Sequence, residues 1–130
     1  MAGFSDYGEN FALDAVFGSG TIATLYLALF TAAPTDAGGG TEVSGGSYAR
    51  KSITNNTANF PAASGGTKYL HVAQTFATPT ASWGTVTHFG FYDAASAGNL
   101  IIYGALTQSQ TISSGNTVSV AVDAISITLD

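Results

Sequence analysis

The chain has 130 residues, the length of one ordinary domain, and only 8% of them are charged, against about a quarter in a typical soluble domain. The net charge is −5, and the three basic residues, Arg50, Lys51 and Lys68, are too few to bind nucleic acid through its phosphates. The absence of cysteine excludes disulfides, cysteine-based zinc sites and thiol nucleophiles. We interpret this composition as that of a β-rich protein whose surface is partly covered by neighbouring subunits.

The beginning of the chain lacks the basic start and apolar run of a signal peptide. Its longest apolar stretch, residues 22–30, is far shorter than the roughly 20 residues that span a bilayer. We therefore expect a protein that is made in the cytoplasm and has no membrane partner.

Residues 6–17 form the one predicted helix. Asp6 can cap the first turn and Glu9 follows three residues later, as in a capping box. The sequence Gly18-Ser19-Gly20 then provides a stop. This pattern predicts an N-terminal helical arm of residues 1–20, followed by a single domain of residues 21–130.

The arm carries three phenylalanines, Phe4, Phe11 and Phe17. Burying a side chain of this kind contributes about 1.5–3 kcal/mol, so three of them are too many for a free terminus. A helix this short must also pack on something to persist. We predict that the arm docks on a partner or on the protein's own sheet, with these three residues as candidate interface residues.

From Thr21 onward the apolar period changes to two, which is typical of strands. Residues 22–30 are apolar on both faces and are predicted to form a central strand. Shorter alternating segments predict further strands at residues 48–53, 68–76, 85–93, 99–106, 117–122 and 125–129. Strands of this number and spacing predict an all-β fold, an antiparallel β-sandwich or jelly-roll-like barrel with one short N-terminal helix.

The segments 85–93 and 99–106 form the clearest predicted hairpin. Phe89 and Phe91 share one face of it, and Ile101 and Tyr103 are expected to pair with them across the strands. Tyr92 lies on the opposite face and is a candidate for a subunit contact or a sugar-binding surface, since aromatic residues are enriched at interfaces. The glycine-rich segment 36–47 is predicted to be a loop that contacts partners outside the domain.

No catalytic, cofactor-binding or metal-ligating residue is predicted. The only histidines are His71 and His88, and strand parity places His88 and Asp93 on opposite faces, which favours a hydrogen-bonded histidine over a metal ligand. The sequence contains no G-x-S-x-G elbow and no phosphate-binding glycine motif. Its acidic residues are scattered singly, which disfavours a glycosidase. Asn55-Asn56-Thr57 fits the glycosylation pattern, and we interpret it as a chance match.

Several segments, taken together and in order, resemble a widespread family of small phage and prophage structural proteins usually labelled tail fibre or minor tail proteins. They are TLYLALFT at 24–31, APTD at 33–36, GGTEVSGGSYAR at 39–50, WGTVTHFG at 83–90, YDA at 92–94 and YGALT at 103–107. The resemblance implies a non-enzymatic component of a bacteriophage virion, with other virion proteins as partners and no catalytic residues. With the charge-poor surface, it also leads us to expect a homo-oligomer.

Three alternatives to a tail fibre or minor tail component stay open. The protein could be a capsid decoration protein that cements the phage head. It could instead be a carbohydrate-binding module that attaches the phage to a host surface glycan. A capsule-degrading enzyme is the last alternative.

Overall fold

The computed structural model describes residues 3–18 and 21–129. Within them, one helix precedes nine strands: α1 (Asp6–Val16), β1 (Thr24–Ala32), β2 (Thr41–Glu42), β3 (Lys51–Thr54), β4 (Thr67–Tyr69), β5 (Gln74–Thr75), β6 (Gly84–Tyr92), β7 (Leu100–Ile112), β8 (Ser119–Val120) and β9 (Ser126–Thr128). Strand β1 pairs antiparallel with β2 and β6, β6 with β7, and β4 with β9. The predicted all-β, antiparallel fold with one short N-terminal helix is confirmed.

The helix begins at the predicted residue, but its capping residue lies one position earlier than predicted. Ser5 is its N-cap, with an extended backbone and a hydroxyl that accepts a hydrogen bond from the Gly8 amide at 3.2 Å. The prediction that Asp6 caps the helix was wrong, since Asp6 is already helical and its charge instead faces the positive end of the helix dipole. Residues 19 and 20, which include most of the predicted stop and the end of the predicted arm, lie outside the described residues.

The chain forms two compact units. The first comprises residues 1–24, 53–74 and 120–130, and the second residues 25–52 and 75–119. The first unit contains α1 and the β4–β9 pair, and its buried apolar side chains are Leu13, Phe17, Ile53, Phe60, Leu70, Ile125 and Ile127. The division into an arm of residues 1–20 and a domain of residues 21–130 stays a prediction.

The second unit is organised by a sheet in the order β2-β1-β6-β7, with β3 also pairing with β1. Strand β1 is central, as predicted, and both of its faces are buried at Leu27, Ala28, Leu29 and Phe30. In the register of β1 with β6, Leu27 lies opposite Phe91 and Leu29 opposite Phe89.

The β6–β7 hairpin is confirmed, but its cross-strand partners differ from those predicted. Phe89 lies opposite Gly104, and Phe91 opposite Ile102, whereas Tyr103 pairs with Gly90 on the other face. A register irregularity near Tyr92 shifts the pairing by one residue, which exchanges the two faces of β7. A Cβ atom at Gly104 would stand 3.2 Å from the Phe89 ring, so the glycine leaves the space that the ring covers.

A second irregularity divides β7. Val86 pairs with Gln110 and His88 with Ala105, so the four residues of 106–109 oppose the single residue Thr87. This is an enlarged β-bulge, and β7 continues beyond the predicted end at 106 because pairing resumes after it.

Part of the predicted glycine-rich loop is a strand. Thr41 and Glu42 form β2 within segment 36–47, and Val43 donates a backbone hydrogen bond to Leu29 at 3.0 Å. The turn into β2 requires glycine at position 40, which has a φ of +73° and whose Cβ would stand 2.8 Å from the carbonyl oxygen of Ala32. Among the described residues, no helix has the length and apolar character needed to span a bilayer.

Candidate functional site

One face of α1 is held tightly to the first unit. Lys68 of β4, whose side chain is only 1% exposed, donates to Asp14 at 2.7 Å. Asp14 also accepts from the Ala63 amide at 2.7 Å, and Asn10 accepts from the Gly66 amide at 2.9 Å. Although burial opposes ionisation, the hydrogen bonds from Lys68 and Ala63 lower the pKa of Asp14 below its ordinary value. The helix is therefore fixed to β4 and to the loop before it.

The end of α1 is anchored by a buried asparagine. Asn55 is 3% exposed, and its side-chain amide donates to the carbonyl oxygens of Val16 and Ile22 at 2.9 and 2.8 Å. Its carbonyl oxygen accepts from the Gly18 amide. Because its side-chain amide is buried and hydrogen-bonded, Asn55, the asparagine of the glycosylation pattern, has a structural role in the folded chain.

Beside its anchored face, α1 exposes two aromatic rings, and a third lies just before the N-cap. Phe4 is 58% exposed, Tyr7 78% and Phe11 65%, and Tyr7 and Phe11 follow the i, i+4 spacing of neighbouring side chains on a helix. The Tyr7 and Phe11 rings stack with their centroids 6.3 Å apart. We call Phe4, Tyr7 and Phe11 the aromatic stripe.

The stripe includes two of the predicted interface residues and excludes a third. Phe17 is 2% exposed and its ring packs 5.5 Å from that of Phe60 within the first unit. Its apolar surface is therefore already used inside the fold. Tyr7 was not among the predicted interface residues, which are phenylalanines in this segment, although its position four residues before Phe11 places the two rings on one helix face.

Tyr92, the fourth predicted interface residue, belongs to the second unit, and its ring is in contact with two side chains. The guanidinium carbon of Arg50 lies 3.6 Å from the ring centroid on one face. The Phe30 ring stacks with it at a centroid distance of 6.2 Å. Burial raises the pKa of the Tyr92 hydroxyl. The ring face under Arg50 is closed to a stacking sugar.

Arg50 is the centre of a network that joins β2 to the turn of the β6–β7 hairpin. Its Nε and Nη2 donate to the two carboxylate oxygens of Glu42 at 2.9 and 2.8 Å, a two-pronged ion pair. Its Nη1 donates to the carbonyl oxygens of Ala94 and Ala97, both at 2.8 Å. The hydrogen bond with Glu42 raises the pKa of Arg50, so the guanidinium is permanently charged.

The same carboxylate also binds a buried tyrosine. Tyr48 donates to Glu42 at 2.7 Å and accepts from the Leu29 amide of β1 at 3.0 Å. Burial, together with the hydrogen bond to Glu42, raises the pKa of Tyr48 far above its ordinary value. These groups bind one another, so their arrangement helps to hold the fold of the second unit.

A cleft of about 430 Å³ opens beside this network in the second unit. Its walls are the loop 36–39, the turn 97–100, and the side chains of Arg50 and Tyr92. Near it, the Tyr103 hydroxyl donates to Asp36 at 2.8 Å. Glycine and alanine account for half of the residues that line the cleft, and Arg50 and Tyr92 are already engaged with each other.

Each of the two histidines is hydrogen-bonded to one neighbouring side chain. His71 Nδ1 lies 2.9 Å from Asp123 Oδ1, with both side chains about half exposed, and His88 Nδ1 lies 2.8 Å from the Thr87 hydroxyl. In the described part of the chain, no serine hydroxyl hydrogen-bonds to His71, and no three histidine, aspartate or glutamate side chains converge as a metal site would require.

The comparisons with known proteins identify a family. A family model described as podophage GP4 fiber I protein gp80 matches residues 3–128, nearly the whole chain. The curated proteins contain no match.

Proposed function

Because this chain belongs to the family of the podophage GP4 fiber I protein gp80, we propose that it is a structural subunit of the tail fibre apparatus that attaches to another virion protein through the aromatic stripe. Membership makes it a phage structural fibre protein associated with the virion. The attachment surface, the position in the tail and the absence of catalysis are the finer parts of the proposal.

The observation that carries the proposal is the exposure of three aromatic rings, two on a fixed helix and one just before it. Isolated exposed apolar side chains are ordinary, but contiguous apolar patches mark interaction sites. Each ring contributes about 1.5–3 kcal/mol when a partner buries it, and large aromatic residues are typical interface hot spots.

The anchoring of α1 favours its use as a binding surface for another protein. Lys68, Asn55 and the loop around Gly66 hold the helix in place before any partner arrives. A preorganised surface loses little conformational freedom on binding, so more of the gross contact energy appears as affinity.

The alternatives have less support. A carbohydrate-binding module would need an open aromatic face, whereas Arg50 covers one face of the Tyr92 ring and the Phe30 ring lies 6.2 Å from it. A capsid decoration protein would be present in hundreds of copies per particle, whereas a fibre subunit would be present in few. Quantitative gel staining of purified virions separates these two locations.

The test of the stripe is incorporation into particles. Phage lacking the gene is complemented with the wild type, with the double variant Tyr7→Ser/Phe11→Ser, or with Tyr69→Ser as the matched control. Tyr69 is also an exposed aromatic residue, but it lies on β4 outside the stripe. We expect the double variant to keep its melting temperature and to be lost from virions, and the control to be incorporated normally. Normal incorporation of a folded double variant would contradict the proposal.

A further inference from the structure

Strand β7 is the free edge of the large sheet. Among the described residues it pairs only with β6, and the backbone of Leu100–Thr111 has no hydrogen-bond partner on its other side. Its 13 residues, LIIYGALTQSQTI, include no charge and no proline. Edge strands of monomeric proteins are usually short or blunted by charges and prolines, because an open edge pairs readily with another strand.

The electrostatics of the chain favour contact at this edge between identical copies. Two copies that each carry a charge of −5 repel one another over most of their surface. The stretch from Ala94 to Val122 contains no charged residue and no histidine, so repulsion is least where β7 lies.

The sequence of β7 is also self-complementary for antiparallel pairing. Residues 106–112 read Leu-Thr-Gln-Ser-Gln-Thr-Ile, and the five central residues are a palindrome about Ser109. In an antiparallel pair centred on Ser109, Gln108 of one copy faces Gln110 of the other, and Thr107 faces Thr111. Cross-strand pairs of this kind, Thr–Thr above all, stabilise antiparallel sheets by hydrogen bonding.

The bulge in β7 presents this segment outward. Leu106–Ser109 lie outside the register with β6, and the side chains of Thr107–Thr111 are all exposed. A bulge can bend an edge away from a partner. Here it places uncharged residues, with backbone groups that β6 does not pair, at the rim of the sheet.

From these observations we infer that two copies of this chain associate edge to edge through β7, antiparallel and centred on Ser109. The inference is independent of the aromatic stripe, because the two surfaces lie in different units of the fold. It identifies the partner as a second copy, because pairing with an identical strand places the same residue type opposite each residue of the palindrome.

The first experiment uses the absence of native cysteine. In the inferred pair the two copies of residue 109 face each other within the reach of a disulfide, whereas the two copies of Ser114 would be on the order of 30 Å apart. Both serines are exposed. Under mild oxidation we expect S109C to form covalent dimers roughly tenfold faster or more than S114C, because pairing raises the local thiol concentration. Equal rates would overturn the inference.

A mixed experiment tests the register. T107C and T111C should cross-link to each other when mixed, and each should cross-link poorly with itself, because the centre at Ser109 places residue 107 opposite residue 111. Self-cross-linking of either variant as fast as the mixture would overturn the centred register.

The last experiment measures mass in solution by sedimentation velocity. We expect the wild type to sediment at twice its 13.1 kDa mass, S109K to be a monomer because two lysines then face each other, and S114K to remain a dimer. A monomeric wild type at high micromolar concentration would overturn the inference, as would a dimeric S109K.

If S109K reduced capture of a different virion protein without changing the mass of the free chain, the second-copy assignment would also be wrong. Tyr7→Ser/Phe11→Ser should remain a dimer, so failure of the aromatic stripe proposal is distinguishable.

Discussion

Replacing Arg50 by lysine tests whether the network around Glu42 stabilises the second unit. The arginine donates two hydrogen bonds to the Glu42 carboxylate and one each to the carbonyl oxygens of Ala94 and Ala97, and it covers the Tyr92 ring. Lysine keeps the charge, but its single nitrogen cannot reach the carboxylate and the hairpin turn together.

The expected cost follows from the bonds that lysine cannot make. A hydrogen bond with a charged partner contributes about 1.5–3 kcal/mol when buried and less when exposed. The Arg50 side chain is 7% exposed and Glu42 24%, whereas the bond to Ala97 is exposed. If lysine retains one bond to Glu42, we expect R50K to lower the free energy of unfolding by about 2–4 kcal/mol. That is a large fraction of the total stability of a domain.

Urea denaturation of the isolated chain measures this loss, and hydrogen exchange locates it. We expect a lower unfolding midpoint and faster exchange at residues 94–97. The control is K51R, because Lys51 is the adjacent basic residue and makes no ion pair within the described residues; it should shift the free energy by no more than about 0.5 kcal/mol. An R50K protein that unfolds at the wild-type urea concentration would show that the network does not stabilise the fold.

Three further predictions concern other parts of the fold. Phe89→Ala should cost about 3–5 kcal/mol in chemical denaturation, because the ring is buried between β1 and β7, and a wild-type unfolding curve would contradict this packing. The lowered pKa of Asp14 means that its pairing with Lys68 stabilises the fold at all pH values above the ordinary 3.8 and is lost as the pH falls through the lowered folded-state value. Asp14→Asn should therefore lower stability at neutral pH and flatten the acid limb of the stability profile, and an unchanged acid limb would refute the linkage. Gly40→Ala should lower the melting temperature more than Gly39→Ala, since both have positive φ but only position 40 lacks room for a Cβ; equal shifts would contradict the steric argument.

The elements that the sequence predicted well are those with a long apolar pattern. The helix, β1 and β6 were placed to within a few residues, because alternation or helical spacing persists over a full element in each, whereas β7 continues well beyond its predicted end at 106. The partners within the hairpin were not predictable. One irregularity, between the Phe91–Ile102 and Tyr92–Leu100 pairs, exchanges the faces of β7, and a register shift of one residue has no signature in the sequence of this uncharged strand.

The candidate site likewise contains some residues that could be identified from the sequence and others that could not. Phe4 and Phe11 were identified by size and position, and the structure exposes both. Phe17 has the same chemistry, but its burial depends on Phe60, which is distant in the sequence. Arg50 was noted only as one of three cations, because its partners at 42, 94 and 97 converge through folding and follow no local spacing.

The pairing of β1 with β6 has a kinetic consequence. Leu27 meets Phe91 although all of β2 to β5 separates them in the chain, whereas β6 and β7 are joined by a short turn. Closing so long a loop is entropically costly before its contacts form, so folding should be slow relative to hairpin formation. During synthesis β1 leaves the ribosome early and keeps its apolar side chains exposed until β6 has been made. We therefore expect β1 to be the segment through which newly made chains aggregate in a phage-producing cell. Slower growth at lower temperature should increase the yield of folded protein.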